Sequence, residues 1–193
     1  MNRGCRFLVL AAWVGVTAPT ARADLIEFTF SGVISSVQPL SGPLSSIASG
    51  QAFTFTYLFD STSPDMNGSN SFGQYALTSF SFEVGSDFLF GTKGHIDVNV
   101  PDSVYGVTSE SGDYSVILDV LTTNPITTDL LPTTLDFDAG TIDIHPTMGG
   151  EVGGGAAIGD ITSFGSRIVP LPAAVWLGAV GLGLVACIGR RLR

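Results

Sequence analysis

The central stretch of this sequence has no cysteine, because Cys5 and Cys187 lie near its two ends. A disulfide framework is excluded for residues 24–168, so a fold there must rest on its apolar core. Basic residues are equally scarce. Only Lys93 and Arg167 fall in that stretch, against all 17 acidic residues, leaving a net charge of −15. Such a surface repels phosphate, which argues against nucleic acid and fits solubility outside the cell or divalent cations. Histidine is limited to His95 and His145, and two isolated histidines are more often strand-end side chains facing water than ligands or bases. Gly-x-Ser-x-Gly, a Gly-Lys-Ser/Thr phosphate loop and His-Glu-x-x-His are all missing. The hydrolase elbow, the phosphate-loop enzymes and the zincin proteases therefore have no foothold. Nor does the middle show a sustained helical period.

The two ends read differently. Arg3 and Arg6 precede the apolar run Phe7 to Val16, and Ala21-Arg22-Ala23 follows. A positive start, a short apolar stretch and a small-x-small site predict a secretory signal peptide over 1–23, cleaved to leave Asp24 first. At the other end, residues 171–188 form an uncharged run, followed by a basic tail over 189–193 with Arg190, Arg191 and Arg193. As a helix that run would be about 27 Å long, at the short end of what spans a bilayer. The arginines belong on the cytoplasmic side and Trp176 suits the outer interface. The expected topology is a single pass through the inner membrane, with the N-terminal domain outside.

Between the ends, apolar residues alternate with polar ones. Ile26, Phe28 and Phe30 share one strand face, as do Phe53, Phe55, Tyr57 and Phe59. The pattern recurs at Phe80, Phe82 and Val84, at Ile96, Val98 and Val100, and at Tyr114, Val116, Leu118 and Val120. Leu135 and Phe137 before Asp138-Ala139-Gly140, with Ile142 and Ile144 after, predict a hairpin. Residues 60–73 read as an exposed polar connection, and 148–159, with six glycines, as a flexible loop or Gly-rich edge. One wet and one buried face per strand predicts an all-β, antiparallel β-sandwich, jelly-roll-like, of eight to ten strands over 24–168.

Val169-Pro170-Leu171-Pro172-Ala173, the apolar run and the terminal arginines occur in that order at the extreme C-terminus. The tripartite tail over 169–193 resembles the PEP-CTERM family of sorting signals, in its Val-Pro-Leu-Pro-Ala variant, with Leu171 where Glu is commoner. The resemblance implies an exosortase substrate of a Gram-negative cell. Such a chain is exported through the Sec machinery, cut by signal peptidase, clipped near the prolines and delivered to the cell surface or matrix. Many proteins with such tails are associated with exopolysaccharide and biofilm. Val169, Pro170, Leu171, Pro172 and Ala173 would be recognition positions on a substrate, not catalytic residues.

Two ligand readings come from the middle. Asp60, Asp65, Asn67 and Asn70 surround a glycine turn with oxygen donors, which suits calcium, although no bidentate Glu closes the loop. The same residues equally favour a solvated turn, the commoner outcome. Tyr57, Tyr75, Tyr105 and Tyr114 would stack on sugars if exposed, but at strand spacing they are more often core. The expectation is a non-enzymatic surface or matrix protein with no obligate cofactor. The alternative is a secreted polysaccharide-active hydrolase, which needs converging carboxylates in a groove.

Overall fold

The structure is a computed structural model that describes residues 24–147 and 155–169. The expected signal peptide, the apolar run over 171–188, Pro170 to Ala173 and the terminal arginines lie outside those residues. Ten strands account for most of what is described: β1 Leu25–Val37, β2 Ala52–Asp60, β3 Phe72–Ala76, β4 Ser79–Val84 and β5 Asp87–Gly91; then β6 Lys93–Asn99, β7 Val104–Ser111, β8 Tyr114–Thr122, β9 Phe137–Pro146 and β10 Ala157–Val169. A single 3₁₀ turn, Gly42–Leu44, is the one helical element among the described residues. No helix there is long and apolar enough to cross a membrane.

All ten strands belong to one antiparallel sheet in the order β3-β6-β7-β8-β9-β10-β1-β2-β4-β5. The sheet curls until its two ends meet. Chain connectivity enforces this, since β3 and β4 are separated only by Leu77 and Thr78, and β5 and β6 only by Thr92. The two edge strands, β3 and β5, thus flank β4 in the chain. Period-two alternation then sends one side chain of each pair inward. Phe28, Phe30, Phe55, Tyr57, Phe59, Phe82, Ile96, Tyr105 and Leu118 are fully buried there. Each such side chain contributes roughly 1.5–3 kcal/mol by leaving water, which explains how residues 24–168, without a cysteine, hold together.

Two features depart from the alternation reading. Asp138-Ala139-Gly140 is not a turn. Those residues lie inside β9, paired with β8 through Leu121↔Ala139 and Val120↔Gly140, and a bulge near Thr122 absorbs the irregularity. The Gly-rich segment is likewise part strand, because Ala157 to Gly159 open β10.

Both edge strands make hydrogen bonds to other parts of the chain. On β3, Gln74 N–H donates to Asp65 Oδ1, Met66 N–H donates to the Gln74 carbonyl, and the Tyr75 hydroxyl donates to the Asp129 carbonyl. On β5, the Ser111 hydroxyl donates to the Phe90 carbonyl and Ser46 holds Asp87. A split also opens inside the sheet. β9 and β10 pair only from Ala157↔Ile144 to Asp160↔Thr141, after which β10 follows β1 alone to Val169. Leu135, Phe137 and Phe164 pack onto the core, and Phe164 lies 5.0 Å from the Phe28 ring and 4.9 Å from that of Phe30.

Candidate functional site

The outer face of β6 to β9 gathers both histidines and three of the carboxylates. Alternation places His95 and Asp97 on β6, Asp119 on β8, and Asp143 and His145 on β9, all opposite the core residues Ile96, Leu118 and Ile144. Cross-strand register puts Asp97, Gly106 and Asp119 in one row. Gly106 leaves a notch there, because a Cβ would come 3.4 Å from Asp119 Oδ1 and 3.7 Å from Asp97 Cβ. His95 Nε2 lies 3.2 Å from Asp97 Oδ2, and His145 Nδ1 lies 3.8 Å from Asp143 Oδ1.

The electrostatics follow from this crowding. Desolvation pushes the Asp119 carboxyl above the ordinary carboxylate range, and the charges of Asp143 and Asp97 push it the same way. The two histidines stand three strand spacings apart, about 14 Å, too far to share a ligand. Among the described residues no three His, Cys, Asp or Glu side chains are grouped to hold a metal ion. Three surface cavities lie elsewhere: along the 122–136 connection, between Thr133, Thr134 and the end of β10, and beside Glu27 and Arg167. A raised carboxyl between two others is an acid–base arrangement in kind. It sits on the outward side of a curled sheet, not in a groove.

The oxygen-rich connection before β3 has a different role. Asp60 Oδ1 accepts from the Thr62 amide at 2.7 Å and from its hydroxyl at 2.7 Å. Asp65 Oδ1 accepts from the Asn67 amide at 2.9 Å and the Gln74 amide at 2.9 Å. Those donors, Gln74 first, hold the Asp65 carboxyl below its usual range. Gly68, at φ +68°, supplies the left-handed residue of the turn. Both carboxylates are thus engaged as turn caps, and Asn67 and Asn70 belong to the same exposed connection. This donor set fits the solvated-turn reading better than a calcium cage.

All four tyrosines face the core. Tyr57 and Tyr105 are fully buried, Tyr75 and Tyr114 nearly so, and none offers a ring to a sugar. The Tyr57 and Tyr105 hydroxyls meet at 2.6 Å, joining β2 to β7 across the interior. Alternation passed over a different aromatic pair, Phe88 and Phe90 on β5, which point outward while Leu89 points in.

The start of β1 and the end of β10 lie at one end of the same antiparallel pair. Leu25 is the register partner of Val169, so Asp24 and the first residue of the proline motif emerge side by side. Asp24 is tied down there: its amide donates to the Ser61 hydroxyl at 3.3 Å, and its carbonyl accepts from the Ser61 amide at 3.1 Å. Arg167 forms a two-pronged pair with Glu27, Nε to Oε1 at 2.6 Å and Nη2 to Oε2 at 2.9 Å. No protein-family model matches the chain, and neither a curated protein nor a solved structure matches it significantly.

Proposed function

We propose that this chain is an exported, non-enzymatic cell-surface or extracellular-matrix protein, sorted by its C-terminal segment and processed by an exosortase. Sec export and signal peptidase would deliver it, and it would act in an exopolysaccharide matrix or biofilm. The observation that carries this reading is the order of Val169 to Ala173, the uncharged run and the three terminal arginines. Before processing, the apolar run holds the protein in the inner membrane with its C-terminus cytoplasmic. The end of β10 supports it further, since an extended strand runs directly into Pro170 and a proline cannot continue a ladder. An extended proline-flanked segment is a shape that a processing enzyme accepts.

The curled sheet is in this reading an antiparallel β-sandwich of the jelly-roll kind. One layer is β10-β1-β2-β4-β5 and the other is β3-β6-β7-β8-β9, bridged by Tyr57 and Tyr105. Mass spectrometry of the mature C-terminus, with cell fractionation, tests the sorting account. A C-terminus near Pro172 on protein recovered outside the inner membrane is expected. An intact Arg193 on all of the protein, retained in that membrane, would overturn it.

The alternative, a secreted polysaccharide hydrolase, draws on one observation, the raised Asp119 carboxyl beside Asp97 and Asp143. Release of reducing sugar that Asp119→Asn abolishes would establish it.

A further inference from the structure

We infer that the free flank of β10, residues 161–169, is a pairing edge for the same strand of a second copy of this chain. The flank is open because β9 pairs with β10 only as far as Asp160↔Thr141. Among the described residues, β1 is the sole backbone partner of 161–169. Thr133 and Thr134 approach the end of the strand only across a cavity. Thr162, Ser163, Gly165, Ser166, Arg167 and Ile168 are all exposed. An unpaired flank of this kind turns N–H and C=O groups to water and is a template for another strand. Proteins guard such edges with charge, proline or a bulge. Here the bulge falls at the start of the stretch, Pro170 lies past its end, and its one charge, Arg167, is turned back onto Glu27.

A second copy is the occupant that fits. The stretch is bounded by Asp160 and Pro170, so an antiparallel pairing that uses all of it has its twofold axis at Gly165. Nothing within its own chain requires glycine there: φ is not left-handed, and a Cβ would meet nothing within 4 Å. Gly32, Gly73, Gly94 and Gly159 would each bring a Cβ under 3.0 Å from another atom. A glycine inside a strand often marks the close approach of another backbone, and the axis supplies one. Charge agrees. The middle of the chain carries −15, so copies repel one another over most of their surface, yet 161–169 holds no acidic residue. Pairing about Gly165 sets Ser163 opposite the partner's Arg167 and Phe164 opposite the partner's Ser166, with no like charges facing. Ile168 gains cover too. It is the register partner of the buried Ile26, hence on the core side, but 65% exposed, and the second strand would lie alongside it.

Such a contact is isologous and closes on itself, giving a dimer and not a fibre. Nine residues a side are few beside the roughly 20–30 of a standard interface, so association is expected in the micromolar range or weaker. Pairing of this kind depends on the sheet alone and stands apart from the sorting account.

Disulfide trapping of the purified full-length chain in detergent tests the pairing, with Cys5→Ser and Cys187→Ser removing the native thiols. Gly165→Cys, where a side chain has room, should cross-link to itself on mild oxidation. Ser163→Cys and Arg167→Cys chains should cross-link when mixed and much less when separate. Opposed α-carbons in an antiparallel pair lie about 4.5–5.5 Å apart, within reach of a disulfide. Ser36→Cys, exposed on β1 outside the pairing, serves as the control and should stay monomeric. Sedimentation of charge variants then separates this register from bulk repulsion. Ser163→Glu should tighten the dimer severalfold and Ser163→Lys loosen it as much, because each faces the partner's Arg167 and the axis repeats the pair. Repulsion between acidic chains alone gives the reverse order. A monomer at every concentration would overturn the edge pairing, and so would that reverse order. Cross-linking of Ser36→Cys as ready as that of Gly165→Cys, which association through the tail would produce, would also overturn it.

Discussion

Removing one hydroxyl of the Tyr57–Tyr105 pair should harm this protein more than removing both. The two oxygens are 2.6 Å apart and both side chains are fully buried, so each is the other's polar partner. Tyr57→Phe strands the Tyr105 hydroxyl in an aromatic interior, and Tyr105→Phe does the reverse. Leaving a buried hydroxyl without its partner costs about 1–3 kcal/mol, whereas replacing both by apolar groups of the same shape is close to neutral. In urea or thermal unfolding of the purified protein, each single variant should therefore lose about 1–3 kcal/mol. The double variant should lie within about 1 kcal/mol of wild type, a large coupling for two residues in contact. Alkali gives a second readout. Burial, then the neighbouring Tyr105, pushes the Tyr57 phenol up, and burial pushes Tyr105 up as well. Above about pH 10 the unfolded chain releases phenolic protons that the folded chain keeps, so wild-type stability falls as pH rises. The double variant should lose that part of the slope. Strict additivity of the two single substitutions would refute the idea that these hydroxyls satisfy one another.

Other consequences are quickly checked. Gly32→Ala should cost about 3 kcal/mol or more in chemical denaturation, or prevent folding, because its Cβ would fall 2.0 Å from the Asp160 carbonyl oxygen and 2.7 Å from Phe53. Asp119→Asn should stabilise the protein at neutral pH, by less than about 1 kcal/mol for so exposed a group. The wild-type carboxyl is raised, so its folded form favours the proton and stability declines as pH climbs through that value; in the variant that decline should vanish. Asp65 has the opposite sign. Its lowered carboxyl contributes stability above the unfolded value near pH 4, and that contribution fades as pH falls through the folded one. Asp65→Ala should abolish it and speed amide exchange at Asn67 and Gln74. Millimolar calcium should leave the melting midpoint unchanged, and a clear rise would put an ion back among Asp60, Asp65, Asn67 and Asn70.

Where both members of an alternating pair obeyed the pattern, the sequence was readable. Phe53, Phe55, Tyr57 and Phe59 all point inward from β2, and Phe80, Phe82 and Val84 do so from β4. β3, β10 and β5 break the rule for identifiable reasons. β3 has glycine at an inward position, because the Asp129 carbonyl would stand 2.2 Å from any Cβ on Gly73. β10 begins in a Gly-rich stretch that looks like a loop. Gly159 is nevertheless a strand residue lying under the Phe53 ring, which a Cβ would meet at 2.7 Å; Gly32 on β1 yields to the same ring. One large side chain on β2 thus empties two positions on its neighbours. β5 inverts the code, since its two aromatics face water and its one aliphatic faces in. No single-strand pattern distinguishes Phe-Leu-Phe with the aromatics out from the same triplet with them in. The four tyrosines, Tyr57, Tyr75, Tyr105 and Tyr114, likewise give no sign in single-strand spacing that all of them face the core.

The topology also decides how the domain would bear load if it is tethered through Val169. β10 makes twelve registered contacts with β1, from Leu25↔Val169 to Val37↔Ala157. Beyond Asp160 its other edge has left β9. A pull along β10 acts at right angles to the cross-strand bonds of those pairs, so the ladder is loaded in shear and its hydrogen bonds resist together instead of opening one by one. Phe164, packed against Phe28 and Phe30, and the Arg167–Glu27 pair grip the same half of the strand from its two faces. The half of β10 that has lost β9 is the half so reinforced. A strand with one open flank can therefore serve as the domain's exit to a tether without becoming its weakest element.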